Sequence, residues 1–145
     1  MFQRILIAYD GSPESKKALE TGIALARELK ADTSLVSVIE PLPGYITLAG
    51  SVEPSYPAEL IRERREKFSA MQSEVKEKAA QHGMTVETLL VEAPEIEGLL
   101  RTVAETRADL LVIGLRPHDH SVEFAGTVRR VANEIRCPIL AVPCH

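Results

Sequence analysis

Only two cysteines, Cys137 and Cys144, occur in the 145 residues. They flank the apolar run at residues 138–143. If that run is extended, seven steps carry the two thiols about 23 Å apart and onto opposite faces. A disulfide needs Cα atoms within about 7 Å, so they are not expected to bridge within one strand. With no second cysteine pair there is no zinc framework, and both read as free thiols in a reducing compartment. No run of about 18 apolar residues is present, so no membrane-spanning helix is expected. Positive charge is not in excess either: 17 Lys and Arg against 21 Asp and Glu give a net charge of -4. A protein that grips nucleic acid with a basic face needs clustered cations, so nucleic acid is not an expected partner. The opening Met1-Phe2-Gln3-Arg4 enters a strand-like run at once and lacks the layout of a secretory leader. Internal repeats and low-complexity stretches are missing as well.

What remains is a chain with 45% apolar and 26% charged residues. A chain of this size buries roughly 70% of its unfolded surface and needs no covalent staple. A single domain over residues 1–145, soluble and cytoplasmic, is the expectation.

Apolar runs alternate with helical patterns. Ile5-Leu6-Ile7-Ala8 is short and almost uninterrupted, as in a strand buried on both faces. It stops at Asp10-Gly11-Ser12-Pro13, where Ser12 can cap a helix, Pro13 suits its first position and Glu14 favours its positive end. The helix that follows carries Ala18, Leu19, Gly22, Ile23, Leu25, Ala26 and Leu29 on one stripe. Residues 35–39 read as a second strand. Residues 40–57, with four prolines and two glycines, read as a loop. Its length and its apolar residues Tyr45, Ile46, Leu48 and Tyr56 suit a lid or partner contact, or a cover for the sheet edge. A long charged helix with Ile61, Phe68, Met71, Val75 and Ala79 on its apolar side comes next. A third strand at 84–91, a short helix from Pro94, a fourth strand at 109–114, a helix after Gly126-Thr127 and a fifth strand at 138–142 complete the pattern.

Strands that recur with intervening helices imply parallel pairing through right-handed crossovers, hence a doubly wound α/β sheet. Ligands in such folds bind beyond the carboxyl ends of the strands, where the strand order switches. That focuses attention on Asp10-Gly11-Ser12 and on residues 114–128. No G-x-G-x-x-G follows the first strand, and no G-x-x-x-x-G-K-[ST] is present. The dinucleotide fingerprint and the P-loop are therefore excluded. No G-x-S-x-G elbow occurs, which argues against an α/β hydrolase. The third strand ends Val91-Glu92-Ala93, without the aspartate of a phospho-accepting receiver domain. No nucleophile and base stand in a recognisable pairing.

Gly126-Thr127-Val128-Arg129-Arg130-Val131 opens a helix, and a helix start attracts phosphate. Gly126 admits close approach, Thr127 has a hydroxyl to donate, and Arg129 or Arg130 carries positive charge. A plain loop capped by Thr127 explains the same residues. His118-Asp119-His120 could contact a metal or phosphate together with Asp10, or form an exposed loop tip. Cys144-His145 reads either as metal ligands or as a frayed terminus.

Taken in order, Ile5-Leu6-Ile7-Ala8-Tyr9-Asp10-Gly11-Ser12, Lys17-Ala18-Leu19, Ala108-Asp109-Leu110-Leu111-Val112-Ile113-Gly114, Gly126-Thr127-Val128 and Cys137-Pro138-Ile139-Leu140-Ala141-Val142 resemble the universal stress protein family over essentially the whole chain. The resemblance implies a Rossmann-like sheet of the adenine nucleotide alpha hydrolase type, with five parallel strands in order 3-2-1-4-5. It implies a homodimer joined through Ile139, Leu140, Ala141 and Val142. Nucleotide-binding members hold ATP with a loop of form G-x-x-G-(nine residues)-G-[ST]. By similarity Ala8 would be among the nucleotide-binding residues, Asp10 would lie near the adenosine and phosphates, and Val38 would contact the adenine. Gly114 and Arg116 would line the ribose and phosphates, and Gly126, Thr127 and Val128 would receive the phosphates.

The chain departs from that loop at Pro117, where the family has glycine, and by a spacing one residue short. Proline has no N–H and fixes φ near -65°, so a phosphate donor is lost. Both changes strike the triphosphate cradle and spare the adenine side. The resemblance therefore implies a stress-response binding module with a degenerate adenine-nucleotide pocket and an unidentified protein partner, rather than an enzyme. The alternative is an ATP- or AMP-binding switch, with magnesium and slow or no hydrolysis. A purely structural dimer with a vestigial pocket is a further alternative.

Overall fold

The computed structural model describes residues 1–42, 44, 55–116 and 126–144. In chain order, β1 (Arg4–Ala8) leads to α1 (Pro13–Leu29), β2 (Asp32–Ile39), α2 (Ser55–Gln81), β3 (Val86–Glu92), α3 (Glu95–Thr106), β4 (Leu110–Leu115), α4 (Thr127–Glu134) and β5 (Ile139–Pro143). The strands form one sheet in the order β3-β2-β1-β4-β5, and every pairing is parallel. The parallel, doubly wound sheet matches the strand and helix pattern, and its order is the one the family resemblance implies.

Side chains alternate across a strand, and here both faces are covered. Ile5, Ile7 and Tyr9 point into a core with Ala18 and Ala26 of α1 and Val75 and Ala79 of α2. Leu6 points the other way, into a second core with Leu99 and Val103 of α3 and Val131 of α4. That two-sided burial is why the strand sequences are continuously apolar rather than alternating.

Local chemistry sets the helix ends. Ser12 caps α1, its hydroxyl accepting from the Ser15 N–H at 3.2 Å, with Pro13 and Glu14 in the first turn. Lys30 closes α1 in the left-handed region at φ 54, and its N–H reaches back to Ala26 and Arg27. The buried seam of α1 runs through Ser15, Ala18, Gly22 and Ala26. Leu29 falls on its margin and is 37% exposed, outside the buried stripe expected for it.

Several boundaries differ from the sequence reading. α2 starts at Ser55, so the last three residues of the expected loop are helical. Pro57 is tolerated there because first-turn N–H groups have no intrahelical partner. Residues 43 and 45–54 lie outside the described residues, with the proposed lid contacts Tyr45, Ile46 and Leu48; so does the Tyr56 side chain. β2 starts at Asp32, ahead of its apolar run, because Asp32 pairs with Arg4 and donates its N–H to the Gln3 carbonyl at 2.9 Å. Gln72 of α2 is buried, and its Nε2 donates to the Leu89 carbonyl of the edge strand at 2.8 Å. Both cysteines are free thiols.

Candidate functional site

From β1 the chain moves outward to β2 and β3, then crosses back to lay β4 on the other side of β1. The topological switch therefore falls between the carboxyl ends of β1 and β4. A cleft of about 500 Å³ opens there. Toward β2 its lining is mainly apolar, with Val38, Ile39, Pro41 and Phe68, and Arg64 and Lys67 on its margin. Toward β4 it is polar, with Asp10, Ser12, Ser15, Arg116 and Thr127. The volume is within the range of small-molecule sites.

Asp10 lies just past the end of β1. Its carboxylate accepts the Ser12 N–H at 2.9 Å, while its own N–H donates to the Ser15 hydroxyl at 3.3 Å. Burial alone would raise its pKa. The Ser12 hydroxyl and N–H, the Ser15 hydroxyl and the Arg116 charge outweigh that and hold it below the ordinary carboxylate value. Asp10 is thus an ionised, acceptor-only group at neutral pH, suited to hydroxyl donors.

Arg116 follows β4 and gathers carboxylates from three other parts of the chain. Its guanidinium lies 3.5 Å from Asp10, 3.5 Å from Glu14 and 3.3 Å from Glu95. Glu14 belongs to the first turn of α1 and Glu95 to that of α3. On the β2 side, Arg64 donates from Nη1 to the Glu40 carbonyl at 3.2 Å.

α4 starts differently. Its N-cap is Gly126, at φ -66 and ψ 166, with no side-chain capping bond and no acidic residue in the first turn. Thr127 is therefore the first helical residue and not the cap that the plain-loop alternative required. It lines the cleft. The N–H groups of this first turn carry the partial positive charge of a helix start, and among the described residues no side chain caps them.

Of the eight residues expected at a nucleotide, Ala8, Asp10, Val38, Gly114, Arg116 and Thr127 line the cleft. Gly126 is buried beside it as the α4 cap. The Val128 side chain packs against the core cluster of Val131, and its N–H belongs to the first turn of α4. Gly114 has a second role, since a Cβ there would lie 2.5 Å from the Glu14 carbonyl. Ile139, Leu140, Ala141 and Val142 form the edge strand β5, half-buried along its length. Pro117, His118, Asp119 and His120 lie outside the described residues, as does His145. Among the described residues no three His, Cys, Asp or Glu side chains are grouped to hold a metal. No described helix is long and apolar enough to cross a membrane.

Glu14, Glu95, Lys67 and Phe68 line the cleft without having been picked out as site residues. A signal for the two glutamates was present: each follows a proline at a helix start that succeeds a strand. Lys67 and Phe68 had none beyond their place on α2.

The model of the universal stress protein family matches residues 1–143. The universal stress protein YxiE of Bacillus subtilis is 31% identical, covering 98% of this chain and 99% of its own. A universal stress protein of Thermus aquaticus, from the QAH/OAS sulfhydrylase 3′ region, is 33% identical with the same coverage. Among solved structures, a universal stress protein family member from Burkholderia pseudomallei superposes with a TM-score of 0.78 at 26% identity, covering 97% of this chain and 96% of its own. A universal stress protein in complex with cAMP gives 0.76 at 19% identity, covering 99% of both chains. An AMP-bound member from Arabidopsis thaliana gives 0.68 at 15%, covering 99% of this chain and 92% of its own. The sheet order, the switch-point cleft and these matches together make the chain a member of the universal stress protein family.

Proposed function

We propose that this protein binds an adenine nucleotide in the switch-point cleft and serves as a cytoplasmic, single-domain stress-response module rather than as an enzyme. The observation that carries the reading is the start of α4, with glycine as its N-cap and no side-chain cap among the described residues, beside the same cleft as Asp10 and Val38. The apolar β2 side suits an adenine ring, with Ala8 and Val38 against it. The ionised Asp10 suits ribose hydroxyls. Gly114 and Arg116 border the ribose and phosphate, and the N–H groups after Gly126, at Thr127 and Val128, take a phosphate. Two related structures, one with cAMP and one with AMP, support a ligand with one phosphate.

ATP with magnesium is the second reading. It is disfavoured by Pro117, which lacks the N–H that a triphosphate loop would use. β5 lies at the sheet edge and leaves a row of backbone groups for a second copy, which supports a homodimer through Ile139, Leu140, Ala141 and Val142. Any protein partner would be a further component.

Gly126→Asp tests the reading. Aspartate is a preferred N-cap, so its carboxylate would bond the α4 N–H groups that a phosphate needs. Calorimetric titration should show AMP affinity falling by roughly tenfold or more, with the circular dichroism of the fold retained. AMP binding unchanged in a folded Gly126→Asp protein would place the phosphate elsewhere.

A further inference from the structure

The charges around the cleft work against a polyanion. Among its described lining residues, the carboxylates of Asp10, Glu14, Glu40 and Glu95 outnumber the cations Arg64, Lys67 and Arg116. Arg116, the cation at the end of β4, already lies within 3.5 Å of three carboxylates. Two of these are well shielded, with Glu14 16% and Glu95 28% exposed. They also stand in the first turns of α1 and α3, where the helix dipole favours an anion, whereas α4 has no acidic residue there. Internal carboxylates thus engage the cation at the end of β4, which a string of phosphates would otherwise draw on.

We infer that Glu14 and Glu95 are specificity-determining residues that set the charge selectivity of the cleft. By engaging Arg116 and the starts of α1 and α3, they restrict the site to nucleotides with a single phosphate, whether monoester or cyclic diester, and reject a metal-free triphosphate. This rests on the nucleotide reading above and names its ligand class. A triphosphate brings roughly two more negative charges than a monophosphate. At an effective dielectric of about 20, the added charge facing these part-buried carboxylates costs in total at least about tenfold in affinity. If the glutamates served only to stabilise their helix starts, neutralising them would alter stability and leave the ranking of nucleotides unchanged.

The test is calorimetric titration of the full chain with adenosine, AMP and ATP in EDTA at fixed ionic strength. It compares the wild type with Glu14→Gln, Glu95→Gln and the double variant. The wild type should prefer AMP over ATP by at least about tenfold, and the double variant should lose about tenfold of that preference through a gain in ATP affinity. The single variants should each show part of the change, which keeps the test valid if the double variant fails to fold. Two results overturn the inference while sparing the nucleotide reading: equal wild-type affinity for AMP and ATP, or an unchanged AMP-to-ATP ratio in the variants. Failure of the wild type to bind adenosine, AMP or ATP overturns both.

Discussion

A Cβ at position 114 would sit 2.5 Å from the carbonyl carbon and oxygen of Glu14 and 2.8 Å from the Ser15 nitrogen. Those are backbone atoms of α1, which cannot swing aside as a side-chain tip can. Gly114→Ala should therefore destabilise the fold by about 2 kcal/mol or more, the scale of an overpacked core. The melting midpoint should fall by roughly 5–10 °C for a chain of this size. An unchanged midpoint would mean that α1 does not pack so closely on β4. The sequence marked Gly114 as a ligand-lining residue, yet the backbone approach that requires glycine depends on a helix 100 residues earlier in the chain. The same distance hides the Arg116 cluster, which joins residues 10, 14, 95 and 116. It also hides Asp109, whose carboxylate accepts the N–H groups of Gln3 and Arg4 at 2.8 and 3.0 Å. Ser12, Pro13 and Glu14 were legible because a helix cap is made by neighbours in sequence.

Strands with continuous apolar runs and helices with strong caps could be read directly, whereas elements with polar ends could not. β2 gains its first residues, and α2 its first turn, from pairing and tertiary position rather than from local pattern. β5 shows what the strand pattern alone cannot give. Leu111 donates its N–H to the Pro138 carbonyl at 3.0 Å, and Leu111 registers with Ile139. In a parallel pair this turns the peptide groups of Ile139 and Ala141 toward the free edge. The side chains of Leu140 and Val142 pack with the α1 core, so a charge at Leu140 would disturb folding as well as the edge. Ala141→Pro removes an outward N–H while sparing the bonds to β4. If two copies pair through β5, this variant should run as a monomer in sedimentation experiments at concentrations where the wild type is dimeric. A persistent dimer would move the interface to another surface.

Across the molecule, strict alternation of strand and helix patterns was enough to read a parallel, doubly wound sheet, and order 3-2-1-4-5 followed from the family resemblance. The place of the cleft was equally legible, because the carboxyl ends of β1 and β4 must flank the switch point. Its charge was not, since that depends on which glutamates the crossovers bring back to it. The net charge of -4 disfavours nucleic acid, and the local excess of carboxylates at the cleft extends the same bias to polyphosphates. The ligand proposed for the cleft is an adenine nucleotide with one phosphate. The most direct measurement is thermal unfolding of the purified chain across parallel titrations of AMP and of ATP without magnesium. AMP at 100 times its dissociation constant should add about 2.7 kcal/mol and raise the midpoint by roughly 5–10 °C, with a clearly smaller rise for ATP at equal concentration. A midpoint that stays fixed with AMP at millimolar concentration would contradict the account.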